Sequence, residues 1–348
     1  MSTLPLDIVG KGYEVSVLDE APNVPDGQAS GCQLLLISCS STAPMAAPDA
    51  STVIAVTAYG TTSLLLPTPL RAILYKGPNQ PNGKVLISTA AANWADGAAP
   101  LANQAGHSFA GSLTGVVADS PNIKFLAYNN VPPAVPNVQT KSNSKGVIIV
   151  STAARANEGR WIVHTVPGFP AAKTGYNWPA AETAKGHLLI CMTIAETQIN
   201  AIASSLIRAE PFVYYNDIPE SETAGIGDFK KLAEGQTATL PPFTIKQSIK
   251  IAPAAPIDVH IYSKSAKSRY ERNIRLIKSP AQIGDHATNI EADQSNWIVS
   301  EPGNIFCFMD KPYTKSQATE PALAICIDKD TIFAQFNAIA AQVENCPQ

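Results

Sequence analysis

The chain has 348 residues, 45% hydrophobic and 15% charged, which suits a large packed core and excludes wholesale disorder. A formal net charge of −3 excludes a global basic field, so any hold on nucleic acid must come from a local patch. Met1 to Gly10 has no basic n-region, and no run reaches the roughly 18 apolar residues of a membrane span, so the expectation is a cytoplasmic protein without membrane contact, or one secreted by a non-standard route.

Residues 1–66 alternate short apolar runs (Glu14–Leu18, Cys32–Ser38, Ser51–Tyr59) with Pro, Gly and Ser, which predicts a β-rich extension. Strands are then expected at Arg71–Tyr75, at Lys84–Ser88 after the Asn82-Gly83 turn, and at Lys124–Tyr128; residues 107–119 read as a helix or a surface segment. Val147–Val150 and Trp161–Val166 flank a polar turn tipped by Asn157, Glu158 and Gly159, the pattern of a hairpin that Pro167 ends. A buried strand follows at His187–Ile194. Thr197–Arg208 carries Ile199, Ile202 and Leu206 at helical spacing and stops at Pro211, before a strand at Phe212–Tyr215. Residues 216–245 read as a loop with a short helix at Asp228–Glu234. The strand Ile257–Tyr262 leads into Lys264, Lys267, Arg269, Arg272, Arg275 and Lys278, which read either as a solvated helix face or as a phosphate-gripping patch. Strands at Ile305–Met309 and Ala322–Ile327 precede a helix at Asp330–Val343. Asp328 or Asp330 is its expected cap, and Phe333, Phe336, Ile339 and Ala340 its buried stripe.

Two triplets stand out because each pairs x-Ser-x with an apolar strand: Asn143-Ser144-Lys145 before Val147, and Gln294-Ser295-Asn296 before Trp297. One unit in each half argues for an α+β protein, mixed α/β, built by duplication. No GxSxG, Walker loop or metal-ligand histidine pair occurs. His164 shares a strand face with Ile162 and Val166 and reads as a core or cleft histidine. His187 and His260 read as structural, and His107 and His286, in loop-like segments, as exposed. From spacing alone the six cysteines read as buried or inert thiols ahead of disulfides.

Several segments resemble the acid deoxyribonuclease II family of the phospholipase D superfamily, over roughly four fifths of the chain from Leu70 to Cys346. They are Ile73-Leu74-Tyr75-Lys76, the run Phe125 to Pro133, Lys145-Gly146-Val147, the run Trp161 to Pro170, Tyr176-Asn177-Trp178-Pro179, Gly186 to Cys191, Trp297 to Ser300, and Cys307-Phe308-Met309-Asp310. The resemblance implies a phospholipase D-like, pseudo-twofold, two-lobed sheet sandwich flanked by helices. It divides the chain into an N-terminal extension (1–66), a first half (67–200) and a second half (201–348). It also implies two His-x-Lys motifs meeting in a cleft for DNA, with one imidazole as nucleophile and the other as acid. At those positions this chain reads Asn143-Ser144-Lys145 and Gln294-Ser295-Asn296, so only Lys145 remains. The expectation is a scaffold that holds nucleic acid or another polar, anionic ligand in the cleft without the family's hydrolysis, and with no cofactor or metal. The alternatives are a repurposed enzyme acting on a small molecule and a residual acid nuclease or toxin. The expected ligand contacts are Asn143, Ser144, Gln294, Ser295, Asn296 and Trp297. Lys145 and His164 are candidate catalytic groups, and Lys264, Lys267, Arg269 and Arg272 a phosphate patch. The resemblance further implies a Cys307–Cys326 disulfide and places Cys191 at another bridged position.

Overall fold

The apolar runs of the first half, joined by Val213–Asn216 from beyond it, assemble into one antiparallel sheet. Across it the strands run Ala95–Asp96, Lys84–Ile87, Ala72–Lys76, His187–Ile194, Gly159–His164, Gly146–Ser151, Ile123–Tyr128 and Val213–Asn216. The computed structural model describes residues 34–35, 72–87, 93–153, 156–251, 256–269, 275–278, 280–289, 291–300, 303–312 and 315–343. The expected extension at 1–66 therefore lies outside the described residues, except for Leu34–Leu35, which pairs antiparallel with Arg275–Leu276. Arg272, Cys32, Cys39 and Cys346 lie outside them as well.

The central hairpin Gly146–Ser151/Gly159–His164 is buried on both faces. Successive side chains on a strand point to opposite faces. Ile148, Val150, Trp161 and Val163 thus join one apolar cluster, and Val147, Ile149 and Ile162 join another. The second cluster is closed by Phe109, Leu113 and Val116 from two short helices, Ser108–Ser112 and Thr114–Val117. The first cluster is shared with a five-stranded antiparallel sheet in the order Thr244–Ile251, Ile257–Lys264, Ala322–Asp328, Ile305–Met309 and Trp297–Val299. The helices Ile199–Ala209 and Asp330–Ile339 contribute Ile202, Leu206, Phe336 and Ile339 to it. The fold is α+β, with large antiparallel sheets and few helices.

Four local expectations change. Thr244–Ile251 is a strand, paired along its length with Ile257–Lys264, where the sequence read as loop or gave no signal. Lys246 and Lys250 face solvent on this edge strand, as edge protection requires, and they dilute the apolar signal. His107 is buried, because its Nδ1 accepts from the Ala110 N–H and caps the helix Ser108–Ser112. The helix Asp330–Ile339 has no side-chain cap: Lys329 holds the N-cap position, and Asp330 lies in the first turn. Residues 264–269 form the end of a strand and a turn, in which the Ser268 N–H donates to Ser265 O at 3.2 Å, and not a helix face. Among the described residues no helix is long and apolar enough to cross a membrane.

Candidate functional site

The two triplets meet across one cleft, and their central serines explain how. Ser144 is buried, and its Oγ donates to Asp310 Oδ2 at 2.5 Å; Asp310 directly follows a strand of the five-stranded sheet. Ser295 is also buried and donates to Tyr75 Oη at 2.8 Å, on a strand of the eight-stranded sheet. Each serine is therefore fastened to the sheet that its own triplet does not lead into. In extended chain the flanking side chains then turn the other way. Asn143, Lys145, Gln294 and Asn296 line a cleft of about 230 Å³, together with Asn130, Thr165, Glu182, Lys185 and Asp310.

The second triplet is locked further by Tyr75. Its hydroxyl donates to Asp293 Oδ2 at 2.8 Å and accepts from Trp297 Nε1 at 3.2 Å. Gly186 closes the seam. Its N–H donates to Ala292 O at 2.8 Å, and the Gln294 N–H donates to Gly186 O at 2.9 Å. A Cβ on Gly186 would lie 2.5 Å from the Asp293 carboxyl carbon, so only glycine fits.

Lys145 is partly buried as a residue, and burial lowers its ammonium to about 8 against the pull of Asp310 and Glu182. Its Nζ donates to Asn143 O at 3.0 Å. Burial pushes the Asp310 carboxyl up, more than Lys311 and the Ser144 hydroxyl pull it down. Its Oδ1 is buried without a hydrogen-bond partner. Burial alone would raise Glu182, but hydrogen bonds from His187 Nε2 at 2.9 Å and Lys185 Nζ at 3.1 Å hold it below its ordinary value. Burial likewise lowers His187, so the pair is a neutral imidazole donating to a carboxylate.

Several expected contacts lie elsewhere. Trp297 is fully buried against Phe336, so it supports the triplet and does not face a ligand. Ser144 and Ser295 are anchors for the same reason. His164 is buried beside the cleft and is not part of its lining. Its Nδ1 accepts from the Val166 N–H, and burial with the Lys145 charge keeps it neutral. Lys264 is buried, lowered by burial to about 8, and donates to Ser265 O and Glu320 O, which removes it from a phosphate patch. Lys267 and Arg269 are exposed. Thr165, Glu182 and Lys185 escaped the sequence reading, and His187 read as structural; Thr165 and His187 lie in the Trp161 to Pro170 and Gly186 to Cys191 runs, which mark the family without marking roles, whereas Glu182 and Lys185 lie in no such run. Asp96, Asp285 and His286 bring ligand atoms within 4.8 Å of one another on the surface, but Lys84 already bridges both carboxylates and supplies the positive charge a cation would bring.

Cys307 and Cys326 form a cross-strand disulfide, while Cys191 is a buried free thiol.

Two antiparallel sheets that join at a polar, lysine-bearing cleft define an α+β protein. Over residues 73–271 the sequence matches the Deoxyribonuclease II family, and the chain belongs to that family. It is 32% identical over 261 residues to Plancitoxin-1 of Acanthaster planci, covering 65% of this chain and 72% of that relative. Deoxyribonuclease-2-beta of Homo sapiens is 22% identical over 263 residues, with the same two shares of 65% and 72%. Deoxyribonuclease-2-alpha of Sus scrofa is 32% identical over 126 residues, which span 33% of that relative. Family membership overturns the cytoplasmic expectation, since deoxyribonuclease II proteins are lysosomal or secreted. The Cys307–Cys326 disulfide agrees with an oxidising compartment.

Proposed function

We propose that the chain is a deoxyribonuclease II-like scaffold whose cleft holds a nucleic-acid phosphate or a similar polar anion and does not cut DNA by the two-histidine route. The observation that supports this is the facing pair of triplets, which presents one lysine and three amides to the cleft and no imidazole. Amides donate and accept hydrogen bonds but cannot carry a phosphoryl group or exchange a proton near neutral pH. A mechanism without its nucleophile and its acid loses many orders of magnitude in rate. Exposed Lys267 and Arg269 would extend the electrostatic grip outside the cleft.

The test is binding of a labelled DNA duplex over a salt series, beside plasmid nicking from acid to neutral pH. Salt-dependent binding without nicking supports the reading. Nicking that disappears in Lys145→Ala overturns it in favour of a working nuclease. A second reading, repurposed chemistry on a small molecule, is favoured by the cleft's size of about 230 Å³.

A further inference from the structure

We propose that Thr165, His187 and Glu182 form a hydroxyl-activating relay in the cleft wall, and that its substrate is a small carboxylic ester. The inference rests on the reading that the cleft admits a ligand, and it assigns chemistry to residues outside the two triplets.

The geometry is an ordered chain of three groups. Thr165 Oγ1 lies 3.1 Å from His187 Nδ1, and His187 Nε2 lies 2.9 Å from Glu182 Oε2. The carboxylate fixes the tautomer. Glu182 is ionised and needs a donor, so the imidazole proton is on Nε2 and Nδ1 is left with its lone pair. The Thr165 hydroxyl then has to donate to Nδ1. Its oxygen also accepts from the Leu188 N–H at 3.2 Å, and the Thr165 N–H donates to Leu188 O at 3.1 Å, so the threonine is held on both sides. A β-branched side chain so held has little rotamer freedom. Thr165 and Glu182 both line the cleft, whereas His187 is fully buried behind them. A nucleophile at the wall, a base behind it and an orienting carboxylate form the arrangement that activates hydroxyls in general.

The step balances within these groups. Thr165 Oγ1 attacks the ester carbonyl carbon while its proton passes to His187 Nδ1. The Glu182 carboxylate stabilises the imidazolium through Nε2–H. The developing oxyanion lies within the field of the Lys145 ammonium, the cation that lines the same cleft. Collapse breaks the carbon–oxygen bond to the alcohol, which leaves with the proton returned by His187. Water then attacks the acyl-threonine, again losing its proton to Nδ1; collapse breaks the bond from the acyl carbon to Thr165 Oγ1, which takes that proton back from His187 as the acid is released. The cleft's size restricts the substrate to short acyl groups.

The test uses the full chain with p-nitrophenyl acetate, and separately with diisopropyl fluorophosphate followed by peptide mass mapping. We expect turnover of the ester and phosphorylation of Thr165. The label should persist in Thr165→Ser and vanish in Thr165→Val. His187→Gln and Glu182→Gln should each slow turnover by about a hundredfold or more, the scale of general-base loss. The rate should hold constant down to below pH 6.5, because the base is an imidazole depressed by burial. Acylation of Lys145 with no label on Thr165, or no label at all in a protein that melts normally, overturns the relay. DNA binding measured on the same preparation separates the two claims: binding without labelling refutes the relay alone, and absence of both refutes the cleft as a ligand site.

Discussion

Raising the pH from 7 to 9 should release a phosphate held by Lys145. Burial sets its ammonium at about 8, against 10.5 for an unperturbed lysine. The charged fraction is then about nine-tenths at pH 7 and about one-tenth at pH 9, whereas an ordinary lysine stays charged throughout. An anion that binds only the charged form loses about tenfold in affinity over this window, about 1.4 kcal/mol. The contribution is complete below pH 8 and lost above it. Stability has the opposite sign. A lysine depressed in the folded state binds fewer protons there than in the unfolded chain, so its term favours folding more as pH rises from 8. Release would therefore not reflect unfolding through Lys145. Lys76 is also lowered to about 8, and its Nζ donates to Thr183 O at 2.7 Å and Lys185 O at 2.6 Å, so a second buried lysine, outside the cleft lining, titrates in the same range. Lys145→Arg separates the two, since a guanidinium keeps its charge over this range. The assay is fluorescence anisotropy of a labelled oligonucleotide at fixed ionic strength. A flat affinity in the native chain, or an equal decline in Lys145→Arg, would refute the reasoning.

Gly186→Ala should place a methyl against the Asp293 carboxyl and cost about 1–3 kcal/mol, the usual range for overpacking, read as a lower denaturation midpoint. Tyr75→Phe leaves Ser295, Trp297 and Asp293 without their shared hydroxyl; a loss on the order of 3 kcal/mol and weaker ligand binding are expected from thermal melts and anisotropy. Unchanged stability would show that the hydroxyl is not the hub. Cys307→Ser with Cys326→Ser opens a link of sequence separation 19, and the loop-entropy relation puts the cost at about 3 kcal/mol by chemical denaturation.

The strands that were easiest to read from sequence are the ones buried on both faces. Ile305–Met309 and His187–Ile194 match their apolar runs end for end, because every position there is apolar or paired. Thr244–Ile251 was illegible for the reverse reason: Lys246, Gln247, Ser248 and Lys250 sit on an edge strand, where polar side chains reach solvent or cross-strand partners such as His260 and Asp258. The cleft divides in the same way. Asn143, Lys145, Gln294 and Asn296 were found because the triplets repeat and the family resemblance assigns both of them to one cleft. Asp310 and Thr165 were not assigned roles, because each adjoins the end of a strand and reaches the cleft only through pairing between segments distant in sequence. Ser144 binds Asp310 across 166 residues, and nothing local announces that contact. Trp297 misled through proximity: next to a triplet in sequence, it belongs to the core in space.

The serines hold the cleft together independently of the residues that flank them. Ser144 and Ser295 each fasten one sheet to the other, so losing either moves a triplet and disturbs the junction as well. Their hydroxyls sit in dry surroundings, where an abandoned partner costs about 1–3 kcal/mol. The flanking positions face the cleft and fasten neither sheet to the other; the Asn143 side chain accepts from Asn130 Nδ2 at 3.1 Å, within its own half. Exchange of a cleft-facing imidazole for an amide would alter chemistry at little cost to folding, whereas exchange of the serine would alter both. This asymmetry accounts for the pattern of the two triplets, in which the serine is common to both and the neighbours differ. It also implies that a histidine placed at exposed Gln294 should leave the stability within about 0.5 kcal/mol, and one at Asn143, which gives up the bond from Asn130 Nδ2, should cost about 1 kcal/mol. Asn143→His with Gln294→His and Asn296→Lys is therefore the direct assay of whether the cleft geometry is still that of a nuclease. If the triplets are held where two-histidine chemistry needs them, the triple variant should nick plasmid DNA at acid pH while the native chain does not; a stable, DNA-binding variant with no nicking would show that the geometry itself has moved.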